Sequence, residues 1–210
     1  MTYRFKGFTL YFAYFVFQTG NFAAFSFFGV WLSIQFGLQV HEVGTAMLVL
    51  GLGNLIGNIF GPRIVNKIGY NLSFYGGIIF TAVLYVLLPH VKNIVLVELL
   101  FFALFFVTGI LFVLMMRHLQ NMSSVARGTG AALANASMYI GQMIGAAIAG
   151  MLFAISHNFI LIGSFTALLY IGALFLFRKV KKLLKIVKQE LHHKACINIS
   201  QIRINKSVNT

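Results

Sequence analysis

Apolar blocks, each long enough to cross a bilayer, alternate along this chain with short polar breaks. A hydrocarbon core about 30 Å thick is crossed by roughly 20 apolar residues of helix, and charge-free runs of that length predict six helices. The first lies within Gly7 to Val40, the second covers about Val43 to Pro62, the third Leu72 to Leu88 and the fourth Ile94 to Met116. From Gly128 to Phe177 there is no Lys, Arg, Asp or Glu. As a single helix that run would be about 75 Å long at about 1.5 Å per residue, so it must fold back once to give helices five and six. Ser156, His157 and Asn158 form the polar cluster placed to turn it. The expected fold is all-α, a polytopic six-helix transmembrane domain over residues 1–177 followed by a basic tail over residues 178–210.

Composition sharpens this picture. The chain of 210 residues is 60% apolar and carries 16 Lys and Arg against three acids, none of them Asp. A soluble domain of this length would have too little charge to stay dissolved. The basic excess does not point to nucleic acid, because 9 of the 16 basic residues follow Phe177 and the rest punctuate the chain singly or in pairs. The first apolar stretch is too long for a cleaved signal peptide and has no small-residue cleavage pattern. Cys196 is the only cysteine, so no disulfide framework is expected within the chain.

With six spans both termini share one side of the membrane, and the charges say which. Arg4 and Lys6 precede helix one, Arg63 and Lys67 join helices two and three, Arg117 and Arg127 join four and five, and Arg178 opens the tail. The opposite side holds Lys92 with His41, Glu42, His90 and His157. The positive-inside rule therefore predicts cytoplasmic termini in a multi-pass protein of the cell membrane. Tyr11, Tyr14, Tyr70, Tyr75 and Tyr170 are expected toward the inner boundary, and Trp31 and Tyr85 toward the outer one, as an aromatic belt.

Two glycine-rich helices suggest close packing. Gly53, Gly57 and Gly61 recur at four-residue intervals in helix two, with Asn54 and Asn58 on a neighbouring face. In helix five, Gly141 and Gly145 belong to a stripe of small residues that includes Gly130, Ala134 and Ala149. About a quarter-turn away Asn135, Tyr139 and Gln142 follow i, i+4, i+7, which sets three polar side chains on one face near mid-membrane.

Several stretches resemble one transporter family. "GNIFGPRIVNKIGYN", Gly57 to Asn71, is similar to the cytoplasmic loop between the second and third helices of a major facilitator superfamily half, with Asn66 where an Asp is expected, Lys67 at a basic position and Gly69 at a glycine. Pro62 replaces a glycine, and Tyr70 and Asn71 replace a basic pair. "ARGTGAALANASMYIGQMIGAAIAG", Ala126 to Gly150, resembles the eleventh helix of the drug-proton antiporter and arabinose-efflux-like branch, and "GLQVHEVGTAMLVLGLGNLIG", Gly37 to Gly57, resembles the entry into the eighth. The resemblance covers nearly all of Gly7 to Phe177 and implies the C-terminal half of a twelve-helix transporter. In the family the loop's Asp helps to hold one access state. Asn66 keeps an amide without the charge, so such a latch would be weaker here. The alternative is that Arg63 and Lys67 only set topology.

The family's central cavity is lined by the first and fourth helices of each half. If that carries over, helix one contributes a stripe of Tyr11, Tyr14, Gln18, Asn21, Phe25 and Gly29, and helix four one of Glu98, Phe102, Phe105, Gly109, Phe112 and Met116. Gln18, Asn21, Phe25, Phe102, Phe105, Asn135, Tyr139 and Gln142 are the candidate cavity residues, a lining suited to a bulky, partly apolar substrate. The alternative is that these rings face lipid or neighbouring helices. Glu98 is the one acid within a predicted span, where a carboxylate at helix centre costs on the order of 2.5 to 3.5 kcal/mol, which makes it the candidate for carrying a coupling proton. Against this, it lies about one turn inside the helix start, where interfacial water could solvate it.

No catalytic constellation is visible, and neither an enzymatic activity, a cofactor nor a metal site is expected. His192 and His193 are adjacent, a poor spacing for joint ligation. In the tail, Val180, Leu183, Leu184, Val187 and Leu191 fall at helical spacing among lysines, the pattern of a basic amphipathic helix on an anionic leaflet, with disorder expected from about Cys196. Because Met1 stands a few residues before the first span, a second half is expected from elsewhere, either a separately encoded partner or a second copy of this chain. The leading expectation is proton-coupled efflux by such a pair. The alternative is a non-functional fragment or a regulatory membrane partner.

Overall fold

The computed structural model describes residues 2–122, 127–156 and 158–179, and every element among them is helical. Six helices are long and apolar enough to cross a membrane. They are α1 (Thr2–Phe36), α2 (Val40–Ile68), α3 (Leu72–His90), α4 (Ile94–Met122), α5 (Arg127–Ser156) and α6 (Ile160–Lys179). Helix α3 is composite: a π turn over Leu72–Gly76, α-helix over Gly77–Leu87 and a closing 3-10 turn over Leu88–His90.

The breaks have local causes. Gly37 adopts φ 67 between α1 and α2, and Gly69 adopts φ 97 after α2, backbone conformations that favour glycine. The Glu42 carboxylate accepts a 2.8 Å hydrogen bond from the Gln39 N–H and places negative charge on the first turn of α2. Asn93 and Asn158 cap the starts of α4 and α6 as neutral acceptors, their side-chain oxygens accepting from Val95 N–H and Ile160 N–H. The fold-back expected at Ser156 to Asn158 is present, with the Ser156 hydroxyl bonded to the Asn158 carbonyl at 3.0 Å.

Two tight pairs organise the bundle, α1 with α5 and α2 with α4. A seam of rings then ties α1 to α4 and to the start of α6. Phe28 meets Phe101 at 4.5 Å and Phe159 at 5.3 Å, and Trp31 meets Phe159 at 5.1 Å. On α6, Tyr170 packs on Phe17 at 4.5 Å. All of these rings are buried.

Three expectations need correction. Helix α2 does not stop at Pro62: it runs on to Ile68, so Arg63, Asn66 and Lys67 are helical, and Gly69, Tyr70 and Asn71 of that motif lie beyond the helix. Proline removes one N–H from the ladder, and buried Val65 keeps the following turns packed. The 29 residues of α2 span about 43 Å against about 30 Å of hydrocarbon, so the helix is longer than the apolar slab by about 13 Å. Likewise Arg117 lies on α4, which extends to Met122. The aromatic belt fails for Tyr14, Tyr85, Tyr170 and Trp31, which are 0–3% exposed and packed inside the bundle. Their rings fill the core, and the three phenols find partners there, as described next.

The sequence-predicted tail beyond Lys179 lies outside the described residues, as does His157.

Candidate functional site

The packing faces come first because they fix which side chains remain open. Along α2, a methyl group added at Gly53, Gly57 or Gly61 would meet the backbone of Phe102, Phe106 or Ile110 on α4, a matched register stepping four residues on both helices. The contact is reciprocal, since Gly109 of α4 lies against the backbone of Asn54 and Asn58. Those two asparagines satisfy each other, with the Asn58 side-chain N–H donating to the Asn54 oxygen at 2.8 Å. Along α5, Gly141 and Gly145 lie in the same way against the α1 backbone at Phe15 and Thr19. The Tyr11 hydroxyl adds a 3.3 Å bond to the Gly130 carbonyl across that pair.

With its small-residue face closed on α1, α5 leaves the polar face outward. Tyr139 is 62% exposed, Asn135 is exposed and Gln142 is half-buried. They stand about 12 to 23 Å along a helix about 45 Å long, within the membrane-spanning length. Across the membrane window only 17% of α5 and 22% of α2 is buried, against 50% of α1 and α4, so α2 and α5 are the open flanks of the bundle. The open face of α2 is apolar, with Leu48, Leu52, Leu55 and Ile59 exposed.

The stripe proposed for α1 divides. Phe25 is 40% exposed and its ring meets Phe105 of α4 at 6.1 Å. Gln18 is buried and donates to the Tyr14 hydroxyl at 3.2 Å, so it does not open onto a cavity within this chain. Asn21 is half-buried, and its side-chain oxygen accepts from two phenols, Tyr85 of α3 at 3.4 Å and Tyr170 of α6 at 3.3 Å. One amide oxygen thus joins three helices inside the bundle. Nearby the Thr166 hydroxyl donates to the Gly20 carbonyl at 3.2 Å.

Sequence reasoning found Asn21 but missed Tyr85 and Tyr170 as its partners. They are 64 and 149 residues away, and no spacing along the chain links them.

On α4, Phe105 is buried, whereas Phe102 is half-buried and stacks on Phe106 at 6.3 Å. Glu98 sits one turn into α4 and is half-buried. At the other end of the bundle Arg63 and Lys67 are exposed, and the Arg63 guanidinium lies 5.7 Å from the Phe60 ring. Among the described residues no group of three His, Cys, Asp or Glu is placed to hold a metal.

This arrangement, long apolar helices paired through glycine faces with amides held inside and on one flank, is that of a multi-pass membrane protein. Comparison with known proteins identifies the class: the model of the Major Facilitator Superfamily matches residues 10–208, and the chain belongs to that family. It is also similar to a protein of Bacillus subtilis (strain 168) described as an uncharacterized MFS-type transporter, YceJ, with 46% identity over 170 residues. That match covers 81% of this chain and 44% of the relative, so the chain spans less than half the length of the protein it resembles.

Proposed function

We propose that this chain is one six-helix half of a major facilitator transporter, corresponding to the C-terminal half, and that it works with a second six-helix half. Together they carry a small, partly apolar molecule out of the cell by proton-coupled alternating access. The reading rests above all on α5, where Asn135 and Tyr139 stand exposed within the span while the opposite face is closed on α1. Polar groups left in hydrocarbon cost several kcal/mol each, on the order of 2 to 7, so a second half over this flank would satisfy them and enclose a lined cavity. The 44% coverage of the relative supports the same division.

In this reading Asn135, Tyr139, Gln142 and Phe25 face the substrate, while Phe102 and Phe105 back that wall and Gln18 and Asn21 brace it. Glu98 takes up and releases the proton. The end bearing Arg63, Lys67 and Arg117 faces the cytoplasm, with Asn66 in the last turn of α2 and Gly69 at the turn into α3.

The test is purification of the complex from its native host in mild detergent, with its mass measured and every chain identified by peptide sequencing. A co-purifying six-helix partner, or a stoichiometric second copy, is expected. A lone monomer that shows no transport in vesicles would overturn the proposal in favour of a fragment or regulatory partner.

A further inference from the structure

The basic end of the bundle, where α2, α4 and α6 finish, holds a cavity of about 510 Å³ lined by Tyr70, Leu114, Arg117, His118 and Gln120. Tyr70 stands two residues past the end of α2, and its ring is fixed by stacking on Phe74 at 5.7 Å and by an edge contact with His118 at 5.1 Å. Its hydroxyl is buried and has no hydrogen-bond partner among the described residues. Burial also raises the phenol above its ordinary pKa, with Tyr75 adding to the shift, so the group stays a proton donor at neutral pH.

Native structures rarely leave such a hydroxyl unsatisfied without a reason. Arg117, on the wall of the same cavity, is exposed and permanently charged. Neither described carboxylate can neutralise it, because Glu42 opens α2 and Glu98 lies in the first turns of α4, both at the far end of the bundle. Among the described residues the cavity lining therefore holds a neutral O–H donor and a forked cationic donor with no carboxylate beside them. That donor set fits an oxyanion, and a guanidinium fits the geometry of phosphate in particular. Position adds to chemistry, since Leu114 gives an apolar wall deeper along α4 while Arg117 and Gln120 lie toward its end, the order met at the boundary between acyl chains and headgroups.

We propose that this cavity is a binding site for a phosphate group, with the Tyr70 hydroxyl and the Arg117 guanidinium donating to its oxygens. The phosphate comes from an anionic phospholipid headgroup or from phosphate in solution. The site does not depend on the transport reading, and it can be tested without a transported substrate.

The experiment uses the full chain in nanodiscs of mixed phosphatidylglycerol and phosphatidylcholine, with retained lipid measured by native mass spectrometry and with inorganic phosphate titrated in a second arm. Preferential retention of phosphatidylglycerol is expected, and Tyr70→Phe or Arg117→Gln should each lower it about tenfold, the effect of one charge-assisted hydrogen bond. Tyr70→Phe keeps the ring packing and changes no charge, so a folding defect is not expected to mimic the effect. Lys67→Gln, which removes a cation at the same end but outside the cavity lining, should retain lipid as the parent does. Inorganic phosphate binding with the same Tyr70 and Arg117 dependence, and without lipid preference, would assign the site to the soluble ion. Equal retention of both lipids with no dependence on Tyr70 in either arm overturns the proposal, as does an equal loss in Lys67→Gln, which would mean diffuse surface charge.

Discussion

Gly57 of α2 lies so close to the Phe106 carbonyl of α4 that a methyl group at position 57 would overlap the carbonyl oxygen. Backbone, and not a flexible side chain, occupies the space, so a substitution can be accommodated only by moving the helices apart. Gly57→Ala should destabilise the fold by about 1 to 3 kcal/mol, the usual cost of overpacking. Thermal unfolding in detergent would show this against Gly51→Ala in the same helix, where an added methyl meets nothing within 4 Å and the melting temperature should hold.

Asn21 is the shared acceptor for two buried phenols from α3 and α6. Asn21→Leu would remove the acceptor that both share, with an expected loss of about 1 to 2 kcal/mol, while Tyr85→Phe keeps the Asn21–Tyr170 bond and should cost less. If Asn21→Leu unfolds at the parent's temperature, the three-helix junction does not hold the bundle together.

Asn135 and Tyr139 are open, so removing them should leave folding intact while weakening the proposed substrate interaction. Asn135→Leu and Tyr139→Ala are expected to shift stability by no more than about 0.5 kcal/mol. In the complex with its second half each should lower substrate affinity roughly tenfold, as loss of one well-placed polar contact does. Equilibrium binding and unfolding on the same preparations check both halves of this prediction.

Glu98→Gln keeps the size and hydrogen-bonding capacity of the side chain and removes its proton chemistry. Transport driven by a pH gradient in everted vesicles should stop, while equilibrium substrate binding persists. Intact proton-driven transport in this variant would remove Glu98 from the coupling role.

Cys196 is the one thiol in the sequence and reports on the tail without any engineering. A membrane-impermeant maleimide should label it in everted vesicles and leave it unlabelled in intact cells. The reverse pattern would invert the proposed topology.

The number of spans, their order and the fold-back at Ser156 to Asn158 were legible in the sequence because a bilayer imposes a length on every apolar run. The packing faces of α2 and α5 were legible for a related reason: glycines four residues apart fall on one side of a helix whatever it meets. Helix ends were not, since a helix that leaves the hydrocarbon needs no apolar residues to continue, and Arg63, Lys67 and Arg117 ride on such extensions. Nor could hydropathy say which polar residues on one stripe would be enclosed. Gln18 and Asn21 are one turn apart on α1, and yet Gln18 is closed within its own helix by Tyr14 while Asn21 is held by residues from α3 and α6. That difference depends on which helices become neighbours. Neighbours are chosen by side-chain packing between segments far apart in the chain, a relationship that periodicity within one segment does not contain.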